Sequence, residues 1–384
     1  MSERFAFIRA CLNRSERIVD ICDRFGISEK TGHKWLHRFK CDGAEGLADR
    51  SHAAQHRPHR IPAEVAATIV QLRRRYGYGA QKLRDLLTQQ HPASRWPAAS
   101  SIAALLEREH LIHRRRRRSR SAERAALDQG RTLATAPNMV WTADFKGEFR
   151  LASGPYCYPL TILDLHTHYL LGCTALGTTA VAPTRQVFRR LFHDYGLPTV
   201  IRTDNGVPFA QPNAVGRLGA LAFWWVRLGI RPEHITPARP AENGAHERFH
   251  KTLKAAATRP ASSSLEAQQR RFTRFQAEYN TQRPHESLPG RRPPSSVYTP
   301  ASRPYPPRLP PLCYPETSAV RLVDHAGFIK WRAHPLFLSS NLAGEHVSLT
   351  ENASDLVTIA YASLALGDFD PHLNRFIPRV RWID

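Results

Sequence analysis

Three acidic residues stand in settings that suit hard-metal chemistry. Asp144 lies in the apolar stretch Trp141-Thr142-Ala143-Asp144-Phe145, which reads as a strand. Asp204 ends a second apolar run at Arg202-Thr203-Asp204-Asn205-Gly206, where Asn-Gly predicts a sharp turn that exposes the carboxylate. Glu247 lies in Asn243-Gly244-Ala245-His246-Glu247-Arg248-Phe249, inside a helical pattern. Carboxylates gathered on an apolar sheet repel one another and lose hydration, so such a cluster needs a counter-charge. A divalent cation supplies it, and oxygen ligands select Mg²⁺, with Mn²⁺ as the alternative. Two such ions about 3.5–4 Å apart in one site would activate a nucleophile and stabilise the leaving oxygen of a phosphodiester in line. Water is the nucleophile for strand cleavage and a 3′-hydroxyl for strand joining.

Neighbouring residues compete for these roles. Glu242 shares the third segment and is a second candidate there, but it suits the first turn of the helix, where the dipole favours an acid. Glu247, further into the helix, is preferred. Asp164 is a lone acid at a strand end and is expected to be structural. Arg248 and His250 are expected to point away from the acids. Lys251 and Lys254 follow Glu247 by four and seven positions, which puts all three on one helix face. A plain salt bridge between Glu247 and Lys251 is the alternative use of that face. Arg283 and His285 either touch nucleic acid or anchor the last helix of this region. Trp224-Trp225 reads as core or as a multimer surface.

Cysteine offers little. The six cysteines at 11, 22, 41, 157, 173 and 313 are scattered with no C-x-x-C pair, which argues against a disulfide framework or a ribbon-type zinc site. His33 and His37 with Cys22 and Cys41 form half of a zinc pattern, and helix packing plus phosphate contact explains them as well.

The elements that must position the acids follow a mixed order. Val140 to Phe145, Tyr156 to Asp164 and Tyr169 to Ala175 read as three strands. A helix covers 183–195, a buried strand Pro198 to Thr203, a helix Val215 to Leu228, and a short strand Ile230 to Ile235. One helix then runs from near 241 through Lys254 and another spans 265–280. Three strands, a helix, a strand, a helix, a strand and two helices make an α/β core with an RNase H-like mixed sheet flanked by helices.

Ahead of this core the chain reads as all-α helix-turn-helix units. Ile18, Val19, Ile21, Cys22 and Phe25 form one apolar face, Gly26 breaks the helix, and Ser28 caps a second helix through Trp35, Leu36 and Phe39. That second helix exposes Lys30, Thr31, His33, Lys34 and Arg38, a basic face suited to a major groove. A second unit follows, with helices over 61–75, 80–87 and 100–110 and a turn at Tyr76-Gly77-Tyr78-Gly79. Then comes the run Arg114, Arg115, Arg116, Arg117 and Arg118, a phosphate clamp or minor-groove arm in a DNA-binding chain. Prolines crowd 283–312 and predict a linker. From about Ser318, short apolar strands (319–323, 328–331, 346–349 and 356–362) predict a small β-barrel-like domain. The expected domains are 1–55 and 56–112 for the helical units, 113–137 for a basic linker, 138–298 for the core, 299–317 for a proline-rich linker and 318–384 for the tail.

Charge agrees with that layout. The 384 residues carry a net charge of +22, and 42% hydrophobic residues suffice for several cores. Residues 1–125 alone hold 26 Lys and Arg against 13 Asp and Glu. A chain this cationic repels itself until it meets a polyanion, most commonly nucleic acid. No apolar run is long enough for a membrane-spanning helix, so no membrane partner is expected. Met1-Ser2-Glu3-Arg4-Phe5 lacks the order of a secretory leader, and a cytoplasmic, nucleoid-associated protein is expected.

Taken together, Asn138-Met139-Val140-Trp141-Thr142-Ala143-Asp144, Thr203-Asp204-Asn205-Gly206 and Asn243 to Arg248 resemble the three acidic motifs of insertion-sequence transposases of bacteria, within the DDE or retroviral-integrase superfamily. Tyr279-Asn280-Thr281-Gln282-Arg283-Pro284-His285-Glu286-Ser287-Leu288 resembles the segment that closes that family's core. The resemblance covers roughly 138–298 and extends to the first helix-turn-helix. The 42 residues between the second and third acids (205 to 246) exceed the spacing of many members, the excess falling around Pro212 to Trp225. The resemblance implies a transposase that binds terminal inverted repeats and catalyses Mg²⁺-dependent cleavage and strand transfer, with Asp144, Asp204 and Glu247 as catalytic metal ligands. It also implies Lys251 and Lys254 on DNA near the scissile phosphate, insertion-sequence ends and target DNA as partners, a homo-oligomer on DNA, and no small-molecule substrate. The competing expectation is a catalytically retired, sequence-specific DNA-binding protein or repressor.

Overall fold

The computed structural model describes residues 2–49, 61–112, 131–212, 214–235, 244–332, 334–352 and 355–383. The chain forms two compact units, Met1–Pro62 and Ala63–Asp384. Among the described residues no helix is long and apolar enough to cross a membrane.

The first unit contains α1 (Ser2–Leu12), α2 (Ile18–Arg24) and α3 (Glu29–Asp42) around Phe7, Ile8, Ile21, Cys22, Trp35 and Leu47. Ser28 caps α3 as its sequence predicts, its hydroxyl accepting from the Thr31 N–H at 3.3 Å. Gly32 lets the helices close up: a Cβ there would sit 2.5 Å from the Cys22 sulfur and 2.9 Å from the Phe7 ring. Helix α1 escapes the sequence reading because its apolar residues form no single stripe. Phe7 and Ile8 are buried, whereas Phe5 and Leu12 are half exposed.

The second unit opens with α4 (Ala63–Tyr76), α5 (Ala80–Gln90) and α6 (Ala99–Arg108), packed through Ile69, Leu83, Leu86, Leu87, Ile102 and Leu106. The mixed sheet follows. Its strands are β1 (Val140–Phe145), β2 (Phe149–Arg150), β3 (Tyr156–Asp164), β4 (Leu170–Leu176), β5 (Val200–Thr203) and β6 (Arg231–His234). Strand β3 pairs antiparallel with β4, with β1 and, at its start, with β2. Strand β1 pairs parallel with β5, and β5 with β6.

Side chains alternate across this sheet. Trp141, Ala143 and Ile201 face α7 (Val181–Tyr195) and α8 (Ala220–Arg227), joining Phe188, Phe192, Trp224 and Trp225 in one core. Thr142 and Asp144 therefore face the other side. There, Leu163, Cys173, Phe249, Leu253, Phe272 and Tyr279 form a second core with α9 (Gly244–Ala257) and α10 (Leu265–Thr281).

The proline-rich stretch lies along the core. Tyr298, Tyr305 and Leu309 pack against it, and the Leu197 and Ala301 N–H groups donate to the Arg303 and Tyr195 carbonyls. The tail holds β7 (Ala319–Leu322), β8 (Phe328–Trp331), β9 (His334–Phe337), β10 (His346–Glu351), β11 (Val357–Tyr361), β12 (Leu364–Asp370) and β13 (Arg375–Trp382). Five of these make an antiparallel sheet in the order β13-β12-β11-β10-β7, with β8 and β9 as a separate hairpin. This sheet stays open, which corrects the expected barrel. Its two end strands, β13 and β7, do not pair, because the sheet buries one face on α8 instead of curling on itself. Ala222, Phe223 and Val226 of α8 share a single core with Val347, Ile359, Tyr361 and Leu366 of the tail.

Candidate active site

Strand pairing decides where the first two acids stand. Ala143 lies level with Thr203 across the parallel β1–β5 pair, and Asp144 and Asp204 each stand one position beyond that last pair. Asp144 belongs to the sheet face that carries α9. The Asn-Gly turn holds Asp204 in place, with the Asn205 side-chain amide donating to the Ile235 carbonyl at 2.7 Å. Gly206 is close beneath: its backbone N–H donates to the Asp204 carboxylate, and a Cβ there would lie 3.0 Å from Oδ2.

The electrostatics mark Asp204 as costly. Burial raises the Asp204 carboxyl above the usual range, against the lowering effects of the Gly206 N–H and of His234. Its Oδ1 is buried with no hydrogen-bond partner, which costs about 1–3 kcal/mol for a neutral group and more for a charged one. His234 itself is held below its ordinary value by burial. Asp144 is 14% exposed, with His250 Nδ1 at 4.0 Å from its Oδ2. Burial, helped by Lys146, pushes that imidazole down to about 4, so at neutral pH it offers Asp144 no compensating charge.

Helix α9 sits on this face through its histidines. His246 Nδ1 lies 2.8 Å from the Thr142 hydroxyl, and His250 Nε2 lies 2.9 Å from the Thr161 hydroxyl. Thr161 in turn donates to the Asp144 backbone carbonyl at 3.0 Å. The expectation that His250 points away from the acids is thus corrected: i and i+4 on a helix share a face, so the His246 contact brings His250 with it. Glu247 is one position round from His246 and is exposed. Among the described residues, no three His, Cys, Asp or Glu side chains converge closely enough to hold a metal ion. Asp144 and Asp204 directly follow the last β1–β5 pair, and Glu247 is exposed on α9. Glu242 lies outside the described residues.

Basic residues gather beside the pair. Lys146 is held below its ordinary value by burial, then by Lys254 and Arg259, which places these three cations near one another and near His250. Lys251 and Lys254 are exposed. Sequence reasoning named Lys254 and missed Lys146 and Arg259. Lys146 follows Asp144 by only two positions, a signal that was available.

The remaining candidates are distributed as follows. Asp164 is fully buried and accepts from the Asn138 N–H at 2.7 Å and from the Thr167 N–H and hydroxyl at 2.8 and 2.6 Å, a structural acid. On α3, Lys30, His33 and Lys34 are exposed and Arg38 is half buried. Lys34 and Arg38 lie 4.6 and 5.1 Å from the Trp35 ring centre. Thr31 serves the cap of its own helix. Arg114, Arg115, Arg116, Arg117 and Arg118 lie outside the described residues. Trp224 and Trp225 are core.

Comparison with known proteins agrees with this architecture. Residues 134–240 and 228–294 each match a family model described as "Integrase core domain", and residues 1–48 and 31–116 match models described as "Homeodomain-like domain". The Pol polyprotein of Feline endogenous virus ECE1 is 26% identical over 130 residues, 34% of this chain and 12% of that polyprotein. The Gag-Pol polyprotein of Baboon endogenous virus (strain M7) is also 26% identical over 130 residues, 7% of its length. The chain thus matches only a small part of these viral relatives. Among solved structures, an intasome of simian T-cell lymphotropic virus in complex with the PP2A regulatory subunit B56 gamma aligns over 82% of this chain and 98% of the matched chain, at 14% identity and a TM-score of 0.36. The HTLV-2 integrase catalytic core domain in complex with magnesium aligns over 43% of this chain and 98% of that one, at 14% identity and a TM-score of 0.31. This chain carries an integrase core domain. Homeodomain-like helical domains precede it.

Proposed function

We propose that this chain cuts and joins DNA, as a DDE-type transposase that recognises the ends of a mobile element and transfers them to a target. The observation that supports the proposal is the pairing of Ala143 with Thr203 in parallel β1 and β5, with Asp144 and Asp204 each one position beyond that pair and a buried Asp204 oxygen that has no hydrogen-bond partner. Two neighbouring carboxylates, one of them orphaned, are the donor set of a hard divalent cation, so the residues fit Mg²⁺ or Mn²⁺. Asp144 and Asp204 would hold it, with Glu247 brought in from α9 as the third ligand. When bound, the ion supplies Lewis-acid stabilisation at the attacked phosphate and a more acidic attacking hydroxyl. The chain's own part is positional. The two strands fix the carboxylates, Thr142 and Thr161 anchor α9 through its histidines, and Lys146, Lys251, Lys254 and Arg259 offer cations to the phosphates on either side. Groove reading falls to Lys30, Thr31, His33, Lys34 and Arg38, with Arg114 to Arg118 as a backbone clamp and a multimer joining two DNA ends. We assign these roles to helical domains at 1–55 and 56–112, a catalytic core at 138–298 and a tail at 318–384, in a cytoplasmic, nucleoid-bound protein.

One observation favours a second reading, a DNA-binding protein whose catalytic site is retired: Glu247 stands exposed and apart from the other two acids. A single experiment separates the two. Purified full-length protein is incubated with duplexes carrying the DNA that flanks its own gene, with Mg²⁺, Mn²⁺ or EDTA. Metal-dependent nicking at one position, lost at least a hundredfold in Asp144→Asn, Asp204→Asn and Glu247→Gln, is expected. Sequence-specific binding with no nicking in either metal would establish the retired reading instead.

A further inference from the structure

Helix α9 meets the sheet through two histidines, and the hydrogen bonds around the second fix its direction. Thr161 on β3 is fully buried and pairs with Asp144 across the antiparallel β1–β3 ladder. Its hydroxyl lies 3.0 Å from the Asp144 carbonyl oxygen and 2.9 Å from His250 Nε2. A hydroxyl carries one proton and a carbonyl oxygen can only accept, so that proton goes to Asp144. The contact to His250 is then made by the imidazole Nε2–H, with the hydroxyl oxygen accepting. This direction holds whether or not the other ring nitrogen carries a proton. The result is a one-way chain from imidazole to hydroxyl to carbonyl, in which each bond strengthens the next.

The same ring flanks the Asp144 side chain. Its Nδ1 stands 4.0 Å from Oδ2, beyond hydrogen-bond length. His250 therefore reaches Asp144 twice, through Thr161 at the backbone and directly beside the carboxylate. Neighbouring rings seat the imidazole, with His246 at 5.3 Å and Phe249 at 5.9 Å between centres. His246 makes a parallel contact to the Thr142 hydroxyl at 2.8 Å, so α9 is registered on β1 and β3 at two points. Packing alone would be satisfied by any flat ring of this size. The chain to Asp144 needs more: a donor at the Nε2 position and a hydroxyl at 161. Substitution can separate these two demands.

We propose that His250 is a positioning residue: through Thr161 it fixes the Asp144 main chain, and with it the direction of the carboxylate toward a divalent ion. The inference rests on the reading of Asp144 as a metal ligand, and its test separates the two. Mn²⁺ is titrated calorimetrically into the full-length protein and its variants. His250→Phe keeps a ring and loses the donor, whereas Thr161→Val keeps the shape and loses the hydroxyl. Each should weaken Mn²⁺ binding about tenfold or more, the usual cost of removing a group that orients a metal ligand. The double variant should stay within about twofold of the weaker single variant, because both substitutions cut one chain. His250→Gln, whose amide nitrogen can reach the Nε2 position, and Thr161→Ser should restore most of the affinity. Nitrogen-15 NMR of the histidine rings, with His250 assigned by its loss in His250→Gln, should show a proton on Nε2 in the metal-free protein. If either His250→Phe or Thr161→Val does not fold, the other and the NMR signal carry the test. Affinity unmoved in a folded His250→Phe or Thr161→Val, losses that multiply in the double variant, no recovery in His250→Gln and Thr161→Ser, or an Nε2 without a proton overturns the proposal and leaves the metal reading standing. A wild-type chain that binds no Mn²⁺ overturns both.

Discussion

His285 shows how a single residue registers its surroundings. Burial and the neighbouring His168, Lys82, Arg283 and Arg248 all disfavour its imidazolium, bringing it to about 3. An unfolded histidine takes up its proton near pH 6.5. Between those values the unfolded chain binds the proton that the folded chain refuses, so stability rises with pH across this window and is lost as pH falls through it. In denaturant titrations from pH 7 to 3.5, His285→Gln should flatten the acid limb by about one proton, near 1.4 kcal/mol per pH unit. An unchanged limb would mean that His285 titrates normally. Asp204 is the other residue whose state its sequence does not declare. Its turn was legible from Asn205-Gly206, and its burial was not, because burial depends on what β6 and its flanking turn bring against it.

At the scale of elements, α3 and α8 make opposite cases. Helix α3 was legible end to end, since Ser28, the basic face and Trp35 are all local signals. Ser28→Ala should cost about 1 kcal/mol of first-unit stability, read as a shift in its unfolding midpoint. Helix α8 is apolar all round, so periodicity cannot say which side faces what. It serves two cores at once, with Trp224 and Trp225 toward the sheet and Phe223 and Val226 toward the tail. Trp225→Ala should destabilise the second unit by about 3–5 kcal/mol. The strands that sequence reasoning missed have a related cause. Strand β12 contains Gly367, where a Cβ would meet the Ile377 carbonyl at 2.4 Å, and β13 contains Pro378. Both residues count against a strand by propensity. A close backbone approach needs the first, and an edge strand tolerates the second.

Over the whole molecule, the shared core makes the tail part of the second unit's folding. Removing residues 318–384 would uncover Val215, Leu218, Phe223 and Val226, an apolar face with nothing to cover it. A chain ending at 317 should therefore aggregate on expression, whereas an independent tail would leave a soluble, folded core. Solubility on size-exclusion chromatography decides between the two.

What is local or periodic was legible in the sequence: the order of strands and helices in the core apart from the two-residue β2, the caps and turns around them, and the excess of positive charge. Tertiary structure decided what depends on register and on surfaces meeting. It put Asp144 and Asp204 just beyond the last pair of β1 and β5, turned His250 toward Asp144, left Glu247 exposed on α9, and gathered Lys82, Arg248 and Arg283 around one cavity. No local pattern encodes such neighbours, because residues far apart in the chain become close only when sheets pair and helices pack.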